Sequence, residues 1–78
     1  MNYSIMFKEL TYAGVKVFFY RAVHPEELTF MGFGRWLGLE YENARKTWQR
    51  GNKELEEKGY IKEDKWTQKT KDIIKGKG

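Results

Sequence analysis

Gly34 and Gly38 lie four residues apart in GRWLGLEYENARKTW (residues 34–48), and no other feature constrains the fold of this chain as much. A glycine inside a helix costs about 1 kcal/mol relative to alanine, yet both stand directly ahead of the most helix-prone stretch in the sequence. Two helices joined by a tight turn cross steeply only if a small residue sits where they touch. The turn itself needs a residue that tolerates positive φ. Gly34 fits the contact and Gly38 the turn, so a steep helix pair is expected around residues 30–57.

The rest of the chain organises around that pair as one domain, residues 1–78, without repeats or a Pro/Ser-rich linker. Residues 1–10 form an N-terminal arm of ambiguous type: Tyr3, Ile5 and Phe7 alternate as in a strand, while Tyr3, Met6, Phe7 and Leu10 fit a helical stripe. Residues 11–61 are expected to hold the helical core and the strand that follows it. Thr11 offers a hydroxyl cap to a first helix, whose inward stripe is Val15, Phe18, Phe19 and Ala22 and whose end falls near Ala22. VHPEE breaks the chain. A second helix is capped by Thr29, beside a one-rung strand at Leu28–Thr29, or else starts earlier with Pro25 in its first turn. Phe30, Phe33 and Leu37 face inward, and Gly38 followed by Leu39 terminates the helix.

The third helix begins at Glu40 or Tyr41 and buries Tyr41, Ala44, Trp48, Gly51 and Leu55, ending at Lys58 and Gly59. Gly51 on the inward line marks either a close approach or a kink. YIK, EDK and WTQKT then read as strand, turn and return strand. Residues 62–78 complete this hairpin and finish in a frayed basic tail, KDIIKGKG.

Several classes of chemistry have no residues to work with. There is no cysteine and His24 is the only histidine, so neither a disulfide framework nor a zinc site is expected. Burial of thirteen aromatic residues must supply most of the core instead. Ser4 has no assembled base, Glu26 and Glu27 diverge on a helix, and GFGRWLG lacks both the spacing and the βαβ setting of a phosphate loop. An enzyme, a cofactor and a small-molecule ligand are not expected. No apolar run approaches a membrane span, and MNYSIMFKEL does not read as a signal peptide, which points to a cytoplasmic location and no membrane partner.

Charge is unevenly distributed. Residues 1–41 carry four basic and four acidic side chains, whereas residues 42–78 carry eleven and seven, so the whole net charge of +4 lies in the second half. Such asymmetry suggests a polyanionic partner. With Ala44, Trp48, Gly51 and Leu55 as the inward line, a step of about 100° per residue places Glu42, Lys46, Gln49, Arg50 and Lys53 on the opposite face. Asn43 and Arg45 flank it. These side chains are the donors that major-groove reading requires.

FGRWLGLEYENARKTW, followed by LEEKGYI, resembles the winged helix-turn-helix family, as in small regulators of viruses, plasmids, archaea and bacteria; the likeness runs from about Leu10 to Ile61. It implies an α+β fold of three helices plus a C-terminal β-hairpin wing. It also implies sequence-specific binding of double-stranded DNA, in a small transcriptional regulator. Three features depart from the family pattern: an extra turn at QRGN, Glu40 at the cap, and Glu42 where the helix nears phosphates. The wing would run along the minor groove with Lys62, Lys65, Lys69 and Lys71 toward the backbone. Trp66 is expected to pack back on the core. The arm, through Tyr3, Ile5, Met6 and Phe7, either forms a homodimer interface on a two-fold site or packs on its own first helix. The rival reading is a protein-docking module, favoured by Glu42, Glu54, Glu56 and Glu57, or a replication or partition accessory factor.

Overall fold

A computed structural model describes residues 4–75. The chain runs through α1 (Ser4–Glu9), α2 (Tyr12–Val23), α3 (Phe30–Leu37), α4 (Tyr41–Glu57), β1 (Ile61–Lys62), β2 (Lys65–Trp66) and α5 (Gln68–Ile74). Helices packed together with a two-stranded antiparallel hairpin make an α+β fold. It has five helices among the described residues, not the three expected, and the hairpin is followed by a helix.

Glycine makes the central crossings possible. A Cβ built on Gly34 would lie 2.6 Å from the Ala44 Cβ, which confirms Gly34 as the contact between α3 and α4. A Cβ on Gly51 would lie 2.6 Å from the Ala13 carbonyl oxygen and closer still to Val17. Gly51 therefore marks the close approach of α2 to α4. Gly38 adopts φ 70° and closes α3, while the Leu39 N–H bonds back to the Gly34 carbonyl at 2.8 Å. Gly59, at φ 82°, ends α4 with the matching bond from the Tyr60 N–H to the Leu55 carbonyl.

The core is an aromatic and aliphatic cluster centred on Phe18, Tyr20, Phe33, Leu55 and Tyr60, all buried. Phe18 meets Phe19 and Tyr60 edge-on and lies 5.1 Å from Trp66, so the hairpin tryptophan does pack inward. Thr29 caps α3 by accepting from the Gly32 N–H, and α3 starts at Phe30 rather than Pro25. No strand forms at Leu28–Thr29.

The open choice for the arm is decided, and other expectations are corrected. The arm is helical, and Met6 and Leu10 are buried in the chain's own core. On α2 the buried line is Val17, Phe18, Tyr20 and Arg21, while Val15 and Phe19 are half-buried and Ala22 is exposed. The helix is rotated by its contact with α4 through Gly14 and Val17. Thr11 does not cap α2 with its hydroxyl; its hydroxyl and its N–H both donate to Glu54 of α4, at 3.0 and 2.7 Å. A carboxylate at the positive end of α2 is favoured by the helix dipole.

A further correction concerns the return strand, which stops after Trp66. The Thr67 and Thr70 hydroxyls donate to the Gly59 and Tyr60 carbonyls, at 2.6 and 2.5 Å, and the chain turns into α5. Ile73 is buried there. Glu9 clasps this end of the molecule, accepting from the Tyr60 hydroxyl at 3.1 Å and the Lys69 ammonium at 3.2 Å. The Lys69 hydrogen bond holds the Glu9 carboxyl below its ordinary range. Burial, followed by the bond to Glu9, pushes the Tyr60 hydroxyl up to about 12.

The α3–α4 contact generates a direct test. Gly34→Val forces added methyl groups against Ala44 and should lower stability by about 1–3 kcal/mol by overpacking, whereas Gly76→Val, in the basic tail, should leave the melting temperature unchanged. Equal melting of the two variants would remove Gly34 from the crossing.

Candidate nucleic-acid interface

The outer face of α4 follows from its inner one. Ala44, Gly51 and Leu55 are buried and Trp48 is half-buried, which turns Glu42, Asn43, Lys46, Gln49, Arg50 and Lys53 outward. Tyr41 departs from the expected inward line: it is 62% exposed, because α3 meets α4 at Ala44, and Phe30 reaches back to its ring.

Ion pairs sort the charges on this face. Arg45 is half-buried and bonded to Glu42 at 2.9 Å, and Lys53 lies 4.0 Å from Glu57. The pairing with Glu42 keeps the Arg45 guanidinium more firmly protonated than usual. Arg35 pairs with Glu27 and Arg21 with Asp64. Among the described residues, Arg50 is the one arginine without a carboxylate partner, and Lys46, next to it on the same outward arc, has none either. Asn43 and Gln49 are exposed beside them, with amide groups available as donors and acceptors.

The hairpin is fixed beside α4 by a residue that sequence reasoning passed over. Arg21 is 5% exposed, although it carries a full charge. Its Nε donates to the Asn52 side chain at 2.8 Å and its Nη2 to Asp64 at 2.5 Å, while its guanidinium lies 5.4 Å from the centre of the Trp48 ring. Asn52 in turn donates to the Trp48 carbonyl at 2.8 Å. Arg21 thus joins α2, the middle of α4 and the hairpin turn. The visible signal was an arginine inside the apolar run VFFYRAV, where a charge is tolerated only if paired.

The turn that Arg21 holds is tight. Ile61 pairs with Trp66 and Lys62 with Lys65, leaving Glu63 and Asp64 as the two turn residues at φ 53° and 63°. Both central residues at positive φ define a type I′ turn, whose twist suits a hairpin. Asx residues tolerate that conformation, and the ion pair anchors Asp64 in it. The tip is therefore acidic, and the cations stand behind it: Lys62 and Lys65 are exposed on the strands. Lys69, expected on the wing, sits instead on α5 in contact with Glu9, the Lys58 carbonyl and the Tyr60 ring. Lys71 is exposed on α5.

The residues assigned to an arm interface divide. Met6 is buried within the chain's own core, Phe7 is 54% exposed, and Tyr3 and the Ile5 side chain lie outside the described residues. Among the described residues, no group of three or more His, Cys, Asp or Glu is placed to hold a metal, and no helix is long and apolar enough to cross a membrane. The comparisons return no match: no protein-family model, no curated protein and no solved structure is significantly similar to this chain.

Replacing Asp64 with asparagine preserves the tolerance for positive φ and removes only the charge facing Arg21. The asparagine oxygen can still accept from Arg21, so losing the carboxylate charge should cost about 1 kcal/mol. Amides of Lys62 and Lys65 should then exchange faster while those in the middle of α4 are unchanged. Unaltered hairpin protection would show that Arg21 does not hold the turn.

Proposed function

We propose that this chain is a small transcriptional regulator that binds double-stranded DNA sequence-specifically, with α4 entering the major groove and the hairpin alongside. The observation that carries this reading is the unpartnered state of Arg50 and Lys46 on a face that also presents Asn43 and Gln49. Arginine pairs bidentately with guanine, asparagine or glutamine pairs with adenine, and lysine reaches guanine or phosphate. The other arginines are engaged within the fold. Lys62 and Lys65 on the hairpin supply cations suited to phosphate contact, which positions a protein without reading sequence.

The competing reading, a docking module with an acidic recognition face, is weakened by where the acidic groups are used. Glu54 caps α2, Glu42 neutralises Arg45 and Glu57 lies beside Lys53, leaving Glu56 as the one carboxylate of the four without such a role. On this reading the chain acts as a two-fold complex, because one recognition helix contacts only a few base pairs. Phe7 and Tyr12 are 54% and 76% exposed and, with Leu10 and Val15, border a shallow apolar depression. That surface, not Met6, is the part of the N-terminal region available to a second copy.

Binding to a duplex selected from a random pool tests the assignment. Arg50→Ala and Lys46→Ala should each weaken binding by about 1–3 kcal/mol if they contact bases, with unchanged melting temperatures and two chains per duplex. Full affinity in both variants would remove α4 as the recognition helix, and a 1:1 complex would remove the dimer.

A further inference from the structure

A cleft of about 370 Å³ opens between the middle of α4, the hairpin and Leu28 of the α2–α3 connection. Its chemistry is set by the buried arginine that lines it. Arg21 commits Nε to Asn52 and Nη2 to Asp64, and its Nη1 makes no bond to any described residue. No buried side-chain nitrogen or oxygen among the described residues lacks a partner, so Nη1 is open to the cleft that Arg21 lines. A guanidinium on a side chain that is 5% exposed thus keeps one nitrogen, with two N–H donors, for something outside the fold.

The opposite requirement stands on the rim. Glu56, exposed on α4, borders the same cleft, and its carboxylate has no ion pair or hydrogen bond among the described residues. Gln49 beside it carries an amide that both donates and accepts. Leu28, Trp48 and Ile61 supply apolar walls. With Asp64 included, the lining holds one positive and two negative side chains.

That combination is selective. A simple anion meets the Nη1 donors but faces two carboxylates, only one of which Arg21 neutralises. A simple cation pairs with Glu56 and leaves the guanidinium donors unmet. A molecule with a carboxylate at one end and an ammonium group at the other satisfies both through charge-assisted bonds, the stronger kind. Any aliphatic part then rests on the apolar walls. The volume lies within the range of small-ligand sites.

We propose that this cleft is a binding site for a small zwitterion of the α-amino acid type with an aliphatic side chain. Its carboxylate accepts from Arg21 Nη1, its ammonium group pairs with Glu56, and its side chain packs on Leu28 and Ile61. The proposal concerns the free protein and does not rest on the DNA-binding reading.

A nuclear magnetic resonance titration of the free protein with L-leucine tests it, beside two analogues that each lack one charge, isocaproate and isopentylamine. Leucine should shift the Asn52 and Gln49 side-chain amide signals and the Arg21 Nε–H signal to saturation, and each analogue should bind at least tenfold more weakly. Glu56→Gln should weaken leucine binding about tenfold, on the scale of a lost charge-assisted hydrogen bond, with an unchanged melting temperature. Lys46→Ala, outside the cleft, should leave it unaltered. No saturable shift at millimolar leucine, isoleucine, valine or methionine would overturn the proposal. Equal binding of leucine and isopentylamine would reduce the cleft to an acidic patch and overturn it too, as would full leucine affinity in Glu56→Gln. DNA binding is measured separately and survives each of these failures.

Discussion

Backbone contact at glycine is the constraint on which the rest of this molecule depends. α4 is approached by α2 at Gly51 and by α3 at Gly34, and in each case a single added carbon would collide with the opposing helix. Close approach lets a chain of 78 residues bury Phe18, Tyr20, Phe33 and Leu55 in one cluster without cysteine. It also fixes which face of α4 turns outward. Each inward glycine carries the usual helix penalty of about 1 kcal/mol, which the packing of the surrounding aromatic rings offsets.

Polar side chains then lock elements that the glycines bring near. Glu54 reaches from α4 to the first turn of α2, Arg21 reaches from α2 to the hairpin, and Glu9 joins α1 to Tyr60 and α5. In each case a charged group satisfies donors or acceptors on a different element. Buried or half-buried charges of this kind are costly unless paired. The same arrangement explains the pattern on the outer face of α4: charges used in holding the fold have partners, while Arg50 and Lys46 do not.

How much of this could be read from the sequence depended on the range of the interaction. The roles of Gly34, Gly38 and Thr29 are local, and their chemistry is visible in short stretches, as is a turn at EDK, although Lys65 belongs to the return strand and only Glu63 and Asp64 form the turn. The inward line through Ala44, Trp48, Gly51 and Leu55 follows from helical spacing. Tyr41 sits on the same spacing but is exposed, because periodicity cannot say where the neighbouring helix stops. α5 was not legible: seven residues with Ile73 and Ile74 as the only apolar pair carry no periodic signal, and Thr67 and Thr70 acquire their partners only after the hairpin has formed. The link between Thr11 and Glu54 spans 43 residues and has no local trace. Among the candidate contacts, Asn43, Lys46, Gln49 and Arg50 were legible as an outward face. The engagement of Lys69 by Glu9, 60 residues away, was not, whereas the pairing of Arg45 with Glu42 follows from their i,i+3 spacing on one helix.

Under the proposed reading, the unpartnered cations of α4 and the hairpin would share electrostatic attraction to phosphate. The salt dependence of binding to random-sequence duplex measures it most directly. Each neutralised phosphate should contribute a slope of about −0.9 in log K against log salt. A steep, linear loss of affinity with salt, made shallower by removing Lys62 or Lys65, is the result expected of a DNA-binding surface. No detectable binding at about 50 mM salt, where such contacts are strong, would contradict it.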